Sequence, residues 1–310
     1  MSVQVIFLGT AGSIPTIARS LPAVAIRRKG ELTLFDCGEG VQRQMVRAHL
    51  GFNKKMKVLV THMHGDHVLG LPGLIQTMSL LGRTKKLEVY GPSGLKEFVD
   101  AIEQTVHFSL TFPLELVEVE DEGLVCEEKE YQIHSAWAKH SIPAFAYSFV
   151  EKPRPGRFHP QKARELGIPE GTLWGQLQRG VAVKLKDGRV VNPEEVVESP
   201  RKGRSVVYTG DSRYSNSIVK LAKYTDLLIH DCTFDDSLRE RAEKDGHSTP
   251  STAVKTALRA KAKRLVLTHI SARYKEPMLL LEQAKETFPE VIVAEDFMRI
   301  DLPRVDNVIK

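Results

Sequence analysis

Residues 61 to 70 read Thr-His-Met-His-Gly-Asp-His-Val-Leu-Gly, which puts His62, His64, Asp66 and His67 within six positions. Imidazole and carboxylate are the side chains that zinc accepts as ligands. Three histidines and an aspartate on one short segment exceed what a single tetrahedral ion with an open position requires. The pattern therefore points to two metal ions rather than one. A solvated loop with scattered histidines is the competing reading, but such loops seldom concentrate His so strongly. Gly65 adds the backbone freedom needed to fold donors around an ion.

Such a loop has to be carried by strands, and the chain supplies them. Lys57–Val60 is an apolar run immediately before the cluster. Val3–Leu8, Glu31–Phe35, Leu87–Tyr90, Leu114–Val119, Tyr131–Ala138 and Phe145–Val150 read as further strands of the first half. In the second half, Arg204–Thr209, Asp226–His230, Arg264–Thr268 and Val291–Ala294 read as buried strands. Helical patterns over Asn216–Lys223, Pro250–Ala260 and Glu276–Thr287 interleave with them. There is no internal sequence repeat. His140, Asp211 and His269 each follow one of these strands. Groups at strand ends can converge on one crevice from distant parts of an α/β chain. Singly, a His after a strand is more often a hydrogen-bonded structural residue, and an Asp in Gly-Asp-Ser a turn former; the His62–His67 cluster raises the weight of all three.

With 310 residues, 42% of them hydrophobic, the chain can build one large domain or two small ones. Cys37, Cys126 and Cys232 are odd in number, widely separated and without CxxC spacing. They suggest neither a disulfide framework nor a thiolate zinc site, and a reducing, cytoplasmic setting is expected. Val3–Leu8 has no basic segment or cleavage site of a leader, and no apolar stretch approaches the roughly 18 residues of a membrane span.

The ordered set His62-x-His64-x-Asp66-His67, His140, Asp211 and His269 resembles the metallo-β-lactamase superfamily. The surrounding blocks Phe7-Leu-Gly-Thr-Ala-Gly-Ser-Ile-Pro15, Phe35-Asp-Cys-Gly-Glu-Gly40, His67-Val-Leu-Gly-Leu-Pro-Gly73, Gly203–Asp211 and Leu267–Tyr274 narrow it to the ribonuclease Z family. The resemblance implies an α/β, four-layer αββα sandwich over residues 1–310. It implies an endoribonuclease that hydrolyses the 3′ trailer from precursor tRNA, using two Zn²⁺ per subunit and no nucleotide cofactor. His62, His64 and His140 would hold one zinc, Asp66, His67 and His269 the other, and Asp211 would bridge them. Two Zn²⁺ with two carboxylates and neutral imidazoles carry a net charge of about +2, which attracts a phosphodiester, and paired ions suit in-line displacement at phosphorus.

Asp66, a carboxylate beside the metal pair, is the candidate general base. His247, in Asp245-Gly-His-Ser-Thr-Pro250, resembles the family's proton donor; it also lies near the cap of the helix expected from Pro250. Asp231 stands in Leu228-Ile-His-Asp-Cys-Thr-Phe234, where many relatives carry Glu-Ala, and would orient that histidine. His230 reads as a buried hydrogen-bonded residue. His49, His107, His134 and His159 match no ligand position and read as structural or surface residues.

Between Glu151 and Arg204 the chain is rich in Pro, Gly and Arg, with twelve Lys or Arg against seven Asp or Glu. That excess of five equals the formal net charge of +5 for the whole chain. A basic, proline-stiffened insertion suits electrostatic contact with a phosphate backbone, which gives affinity without sequence readout. The resemblance places the family's flexible, protruding tRNA-gripping arm at about 151–203, with Lys152, Arg154, Arg157, Lys162 and Arg164 as candidate contacts. Gln178–Val191 alternates about Asp187-Gly188, a hairpin signal. A homodimer, with the arm of one subunit serving its partner, follows from the resemblance alone.

Other functions use the same donors. A phosphodiesterase or sulfatase of this fold acting on small esters would need every ligand but no basic arm. A di-iron oxidoreductase generally takes a carboxylate where this chain has His64, so nitrogen there favours zinc. An RNA-binding protein with a dead site would not need all seven donors.

Overall fold

The computed structural model describes residues 3–304, which divide into two compact units, Glu151–Arg204 forming the core of the second. The first unit, residues 3–150 and 205–303, is built on two seven-stranded sheets. One has the order Arg299–Leu302, Val3–Gly9, Ala23–Arg28, Glu31–Phe35, Met56–Leu59, Leu87–Gly91 and Leu114–Glu118. The other runs Val291–Val293, Leu265–Thr268, Leu227–Asp231, Ser205–Tyr208, Phe145–Glu151, Tyr131–Trp137 and Gly123–Glu127.

The period of two along each strand creates the layers. Val3, Val5 and Phe7 join Val24, Ile26, Phe35 and Leu59 in the core that also takes Phe145, Tyr147, Phe149, Val206, Ile229 and Val266 from the other sheet. Ile6 and Leu8 point the opposite way, into a second core with Val58, Val60 and the helical residues Met45, Leu71, Leu74, Ile75 and Met78. On the far face of the other sheet, Val207, Leu228, Leu265 and Leu267 pack with Ala253, Val254, Ala257, Leu280 and Ala284. Three apolar layers separate four layers of secondary structure: helices, sheet, sheet, helices. Strands buried on both faces read as continuous apolar runs, which is why so many were visible in the sequence.

Glu31–Phe35, Met56–Leu59 and Leu87–Gly91 are parallel neighbours, as are Ser205–Tyr208, Leu227–Asp231 and Leu265–Thr268. The carboxyl ends of these strands deliver Asp36, His62, Asp211, Asp231 and His269 to the site. Ala23–Arg28, Gly123–Glu127 and Arg299–Leu302 are strands, and Gly70–Leu80 and Leu95–Thr105 helices, that the sequence patterns did not reveal. Among the described residues no helix is long and apolar enough to cross a membrane. The three cysteines are free, with Cys37 and Cys232 buried.

The Glu151–Arg204 unit has its own small core of Ala163, Ile168, Leu177, Val183, Leu185, Val191 and Val196, flanked by Phe158 and Trp174. Two short helices, Pro160–Glu165 and Thr172–Gln178, pack with the two-stranded Val183–Lys184/Val190–Val191 hairpin. The expected hairpin forms about Asp187-Gly188, Leu185 N–H donating to Arg189 O at 2.8 Å. It is shorter than the alternation suggested, because Gln178 ends a helix instead.

Candidate metal centre

Met56–Leu59 ends in Val60-Thr-His62, and the short helix Gly65–Val68 turns Asp66 and His67 back toward His62. The donors fall into three overlapping groups whose ligand atoms lie within 4.8 Å of one another: His62, His64, His140 and Asp211; Asp66, His67 and His269; and Asp211, His247 and His269. Asp211 lies against donors of the first two. Its Oδ1 is 3.4 Å from His67 Nε2 and 3.3 Å from His269 Nε2, and its Oδ2 is 3.7 Å from His62 Nε2 and 3.9 Å from His140 Nε2. All seven residues expected from the sequence converge.

The hydrogen bonds around the donors fix which atoms are left for coordination. Asp36, at the end of Glu31–Phe35, accepts the Thr61 N–H at 2.7 Å, the Thr61 hydroxyl at 2.9 Å, the Tyr208 hydroxyl at 2.8 Å and His67 Nδ1–H at 2.6 Å. Since the single Thr61 proton goes to Asp36, Thr61 Oγ1 can only accept from His62 Nδ1, 2.9 Å away. By the same logic Thr233 Oγ1 donates to Asp231 Oδ1 at 2.7 Å and accepts from His269 Nδ1 at 2.7 Å. His140 Nδ1 donates to Gly246 O at 2.8 Å. Thus His62, His67, His140 and His269 all commit Nδ1 to a partner and turn Nε2 inward, where its lone pair would be offered to a bound cation. His64 differs, presenting Nδ1 at 3.1 Å from both His62 Nε2 and His140 Nε2.

Two of these contacts need glycine. A Cβ on Gly246, whose φ is +86°, would sit 2.7 Å from His140 Nδ1. One on Gly210, φ +57°, would meet Thr61 at 2.8 Å and push the Asp211 turn off the His62 strand end.

A cation fits these residues. His67 Nε2 and Asp211 Oδ1 are buried without a hydrogen-bond partner, an expensive state that an ion between the donors relieves. Burial drives the pKa of His62 well below the ordinary histidine value, and also lowers His64 and His140, keeping their lone pairs available. Burial also opposes charge on His67, but Asp211 and Asp36 outweigh it and raise its pKa. Burial likewise works against ionisation of Asp66 and Asp211, yet the surrounding histidines hold both well below the usual carboxylate range.

His247 sits at the edge of the donor cluster, its Nδ1 3.1 Å from Asp231 Oδ2 and 3.8 Å from Asp211 Oδ2. Burial resists its protonation, but Asp231 prevails and pushes its pKa up to about 9. Asp231, fully buried, also accepts Ser212 N–H at 3.3 Å and Ser248 N–H at 3.1 Å, tying the loops after Asp211 and His247 to one carboxylate. Aspartate is thus long enough to reach the histidine in this chain. Asp66 Oδ2 accepts the backbone N–H of Ser13 at 3.1 Å. His230 is buried and hydrogen-bonded through Nδ1 to Asp231 O at 2.9 Å, outside the donor groups. His49 and His107 are exposed, His134 is half-buried, and His159 pairs with Glu198 at 3.1 Å.

Asp36, Thr61, Thr233 and the Gly246 carbonyl carry no signal at the level of residue type; only the block Phe35–Gly40 drew attention to Asp36. In the Glu151–Arg204 unit, Arg157 and Lys162 are exposed and Lys152 is half-buried. Arg154 is half-buried with its Nε lacking a partner. Arg164 is engaged by Glu170 at 2.8 Å and lies 5.6 Å from the Trp174 ring centre.

Residues 3–108 match a family model described as anti-Pycsar protein Apyc1, and residues 193–270 one described as a β-lactamase superfamily domain. A ribonuclease Z from Methanosarcina mazei is 45% identical over 302 residues, covering 97% of this chain and 98% of that one. The Methanosarcina acetivorans ribonuclease Z is 44% identical with the same coverage. Among solved structures, the short form of human tRNase Z superposes with a TM-score of 0.72 at 30% identity, covering 97% of this chain and 99% of its own. The chain belongs to the ribonuclease Z family, within the metallo-β-lactamase fold.

Proposed function

We propose that this protein is a zinc-dependent endoribonuclease that removes the 3′ trailer of precursor tRNA, leaving a 3′-hydroxyl on the tRNA and a 5′-phosphate on the trailer. The observation that carries this reading is the convergence of all seven donors in a chain 44% and 45% identical to two Methanosarcina ribonucleases Z over nearly its whole length. His62, His64 and His140 are the donors for one zinc, Asp66, His67 and His269 for the second, with Asp211 serving both. When bound, the pair supplies Lewis-acid activation of water and of the phosphoryl group.

The protein's own groups account for the proton movements. Asp66, kept ionised by its histidine neighbours and steadied by Ser13 N–H, takes up or orients the proton of the attacking water. As the P–O3′ bond breaks, the departing 3′ oxygen needs a proton. His247 is charged near neutrality and has Nδ1 fixed on Asp231, leaving its Nε2–H to donate. Water has then added across the bond, and substrate and product charges balance.

The Glu151–Arg204 unit is assigned to tRNA backbone contact. Arg164, Arg189, Arg201 and Arg204 are paired with Glu170, Asp187, Glu198 and Glu151. The excess charge of the unit therefore falls on other residues, of which Arg157 and Lys162 are exposed. We assign the protein to the cytoplasm as a homodimer, testable by light scattering.

The deciding experiment offers zinc-loaded protein a 3′-extended precursor tRNA beside a single-stranded RNA of matched length. Discrete cutting near the discriminator base of the folded substrate alone is the expected result. Turnover of small diesters with neither RNA cut would reassign the protein to small-ester hydrolysis.

A further inference from the structure

The two halves of the centre are braced in the same way. In one, buried Asp36 takes the Thr61 hydroxyl, which takes His62 Nδ1–H, and directly takes His67 Nδ1–H. In the other, buried Asp231 takes the Thr233 hydroxyl, which takes His269 Nδ1–H, and directly takes His247 Nδ1–H. The correspondence has one exception in outcome. Asp36 supports two metal donors, whereas Asp231 supports one donor and the proposed proton donor.

We propose that Thr233 is a positioning residue whose single hydroxyl sets both the His269 donor and, through Asp231, the orientation of His247. Thr233 is 5% exposed, and its backbone N–H also donates to Asp231 Oδ1 at 3.0 Å, so its placement on that carboxylate is fixed at two points. His269 has φ +59°, an unfavourable backbone setting for a non-glycine residue, and its Nδ1–H makes this hydrogen bond to Thr233 Oγ1. Without the hydroxyl, that N–H faces an apolar group in a buried site. Asp231 Oδ1 also loses the shorter of its two Thr233 bonds, so that only backbone N–H groups, of Thr233, Ser212 and Ser248, are left to hold the carboxylate against His247. Donor orientation and proton delivery thus depend on one side chain that touches neither substrate nor metal.

The proposal rests on His269 being a donor and His247 the proton source, and the test keeps the failures apart. Full-length Thr233→Val, Thr233→Ser and His247→Ala are compared with the parent. Zinc dissociation is measured by chelator competition. kcat and KM are measured at saturating zinc on precursor tRNA and on a 4-nitrophenyl phosphodiester, whose leaving group departs without a proton. For Thr233→Val, zinc dissociation is expected to rise about 10- to 100-fold. Its kcat on precursor tRNA is expected to fall about 100-fold, against about tenfold or less on the nitrophenyl ester, with KM little changed. Thr233→Ser, which keeps the hydroxyl, returns both quantities to within about threefold of the parent. Unchanged zinc retention, equal losses on the two substrates, or no rescue by serine in a folded variant would overturn the proposal. If His247→Ala itself treats both substrates alike, it is the proton-donor assignment that fails, and the His247 half of the Thr233 role falls with it.

Discussion

The metal centre and the Glu151–Arg204 unit use charge in opposite ways. In the centre the groups are buried or half-buried and interlocked: Asp36 and Asp231 each accept several hydrogen bonds, and four imidazoles have their tautomers dictated by what Nδ1 touches. In the unit four arginines are paired locally, Arg204 with Glu151 in a buried pair, while Arg157 and Lys162 lie exposed on the surface. Buried, mutually dependent groups fail together when one is removed. Exposed cations act through a summed, salt-screened field and fail by degrees.

The largest expected effect tests the first half of that contrast. Asp211→Ala removes the carboxylate that reaches donors of both proposed zinc sites, so zinc content by metal analysis should fall for both ions. Cleavage of precursor tRNA and of small diesters should drop to the level of chelated protein. Retention of one zinc with partial activity would show the two sites to be independent. Next, His247→Ala should slow precursor cleavage about 10²- to 10⁴-fold with zinc content unchanged; loss of zinc would make His247 a ligand. Asp36→Asn, which places an amide N–H₂ against donors from His67, Thr61 and Tyr208, should weaken zinc retention about 10- to 100-fold by chelator competition.

The smallest effect belongs to the surface. Reversing Arg157 and Lys162 together to Glu should reduce kcat/KM on precursor tRNA about tenfold, with a shallower dependence on salt and an unchanged rate on small diesters. Excising residues 151–204 is a stronger form of the same test. Val150 and Ser205 are register partners in adjacent strands, so a short Gly-Ser linker can close the gap. If small-diester activity is lost as well in a folded variant, the separation of duties between the two units is wrong.

What could be read in advance follows the same division. The donors were legible because a metal site demands particular residue types at close spacing, and His62–His67 supplies them on one segment. Thr61 and Thr233 looked like ordinary strand-end residues; their function exists only once strands far apart in the chain set the register that brings them to Asp36 and His269. The helix Gly70–Leu80 was hidden by its own opening, Gly70-Leu-Pro-Gly73, which reads as a breaker. Pro72 falls in the first turn, where its missing N–H costs nothing. Ala23–Arg28 reads Ala-Val-Ala-Ile-Arg-Arg, with two alanines and a charged end, and is held as a strand by pairing on both sides, with Val3–Gly9 and Glu31–Phe35. In the 151–204 unit the charge excess was visible, but not which arginines would be spent on neighbours, because that depends on turns such as Asp187–Arg189.

Ile270 N–H donates to Thr10 O at 2.9 Å, and Ile270-Ser271 lies parallel to Ala11-Gly12, just before the Ser13 N–H that steadies Asp66. The earliest and latest parts of the site are therefore the ones that pair. A growing polypeptide exposes His62, His64 and Asp66 early, yet cannot place His269 until the residues around 270 have left the ribosome. A centre that needs both ends of the chain gathers its full set of donors only when nearly the whole polypeptide is available to fold.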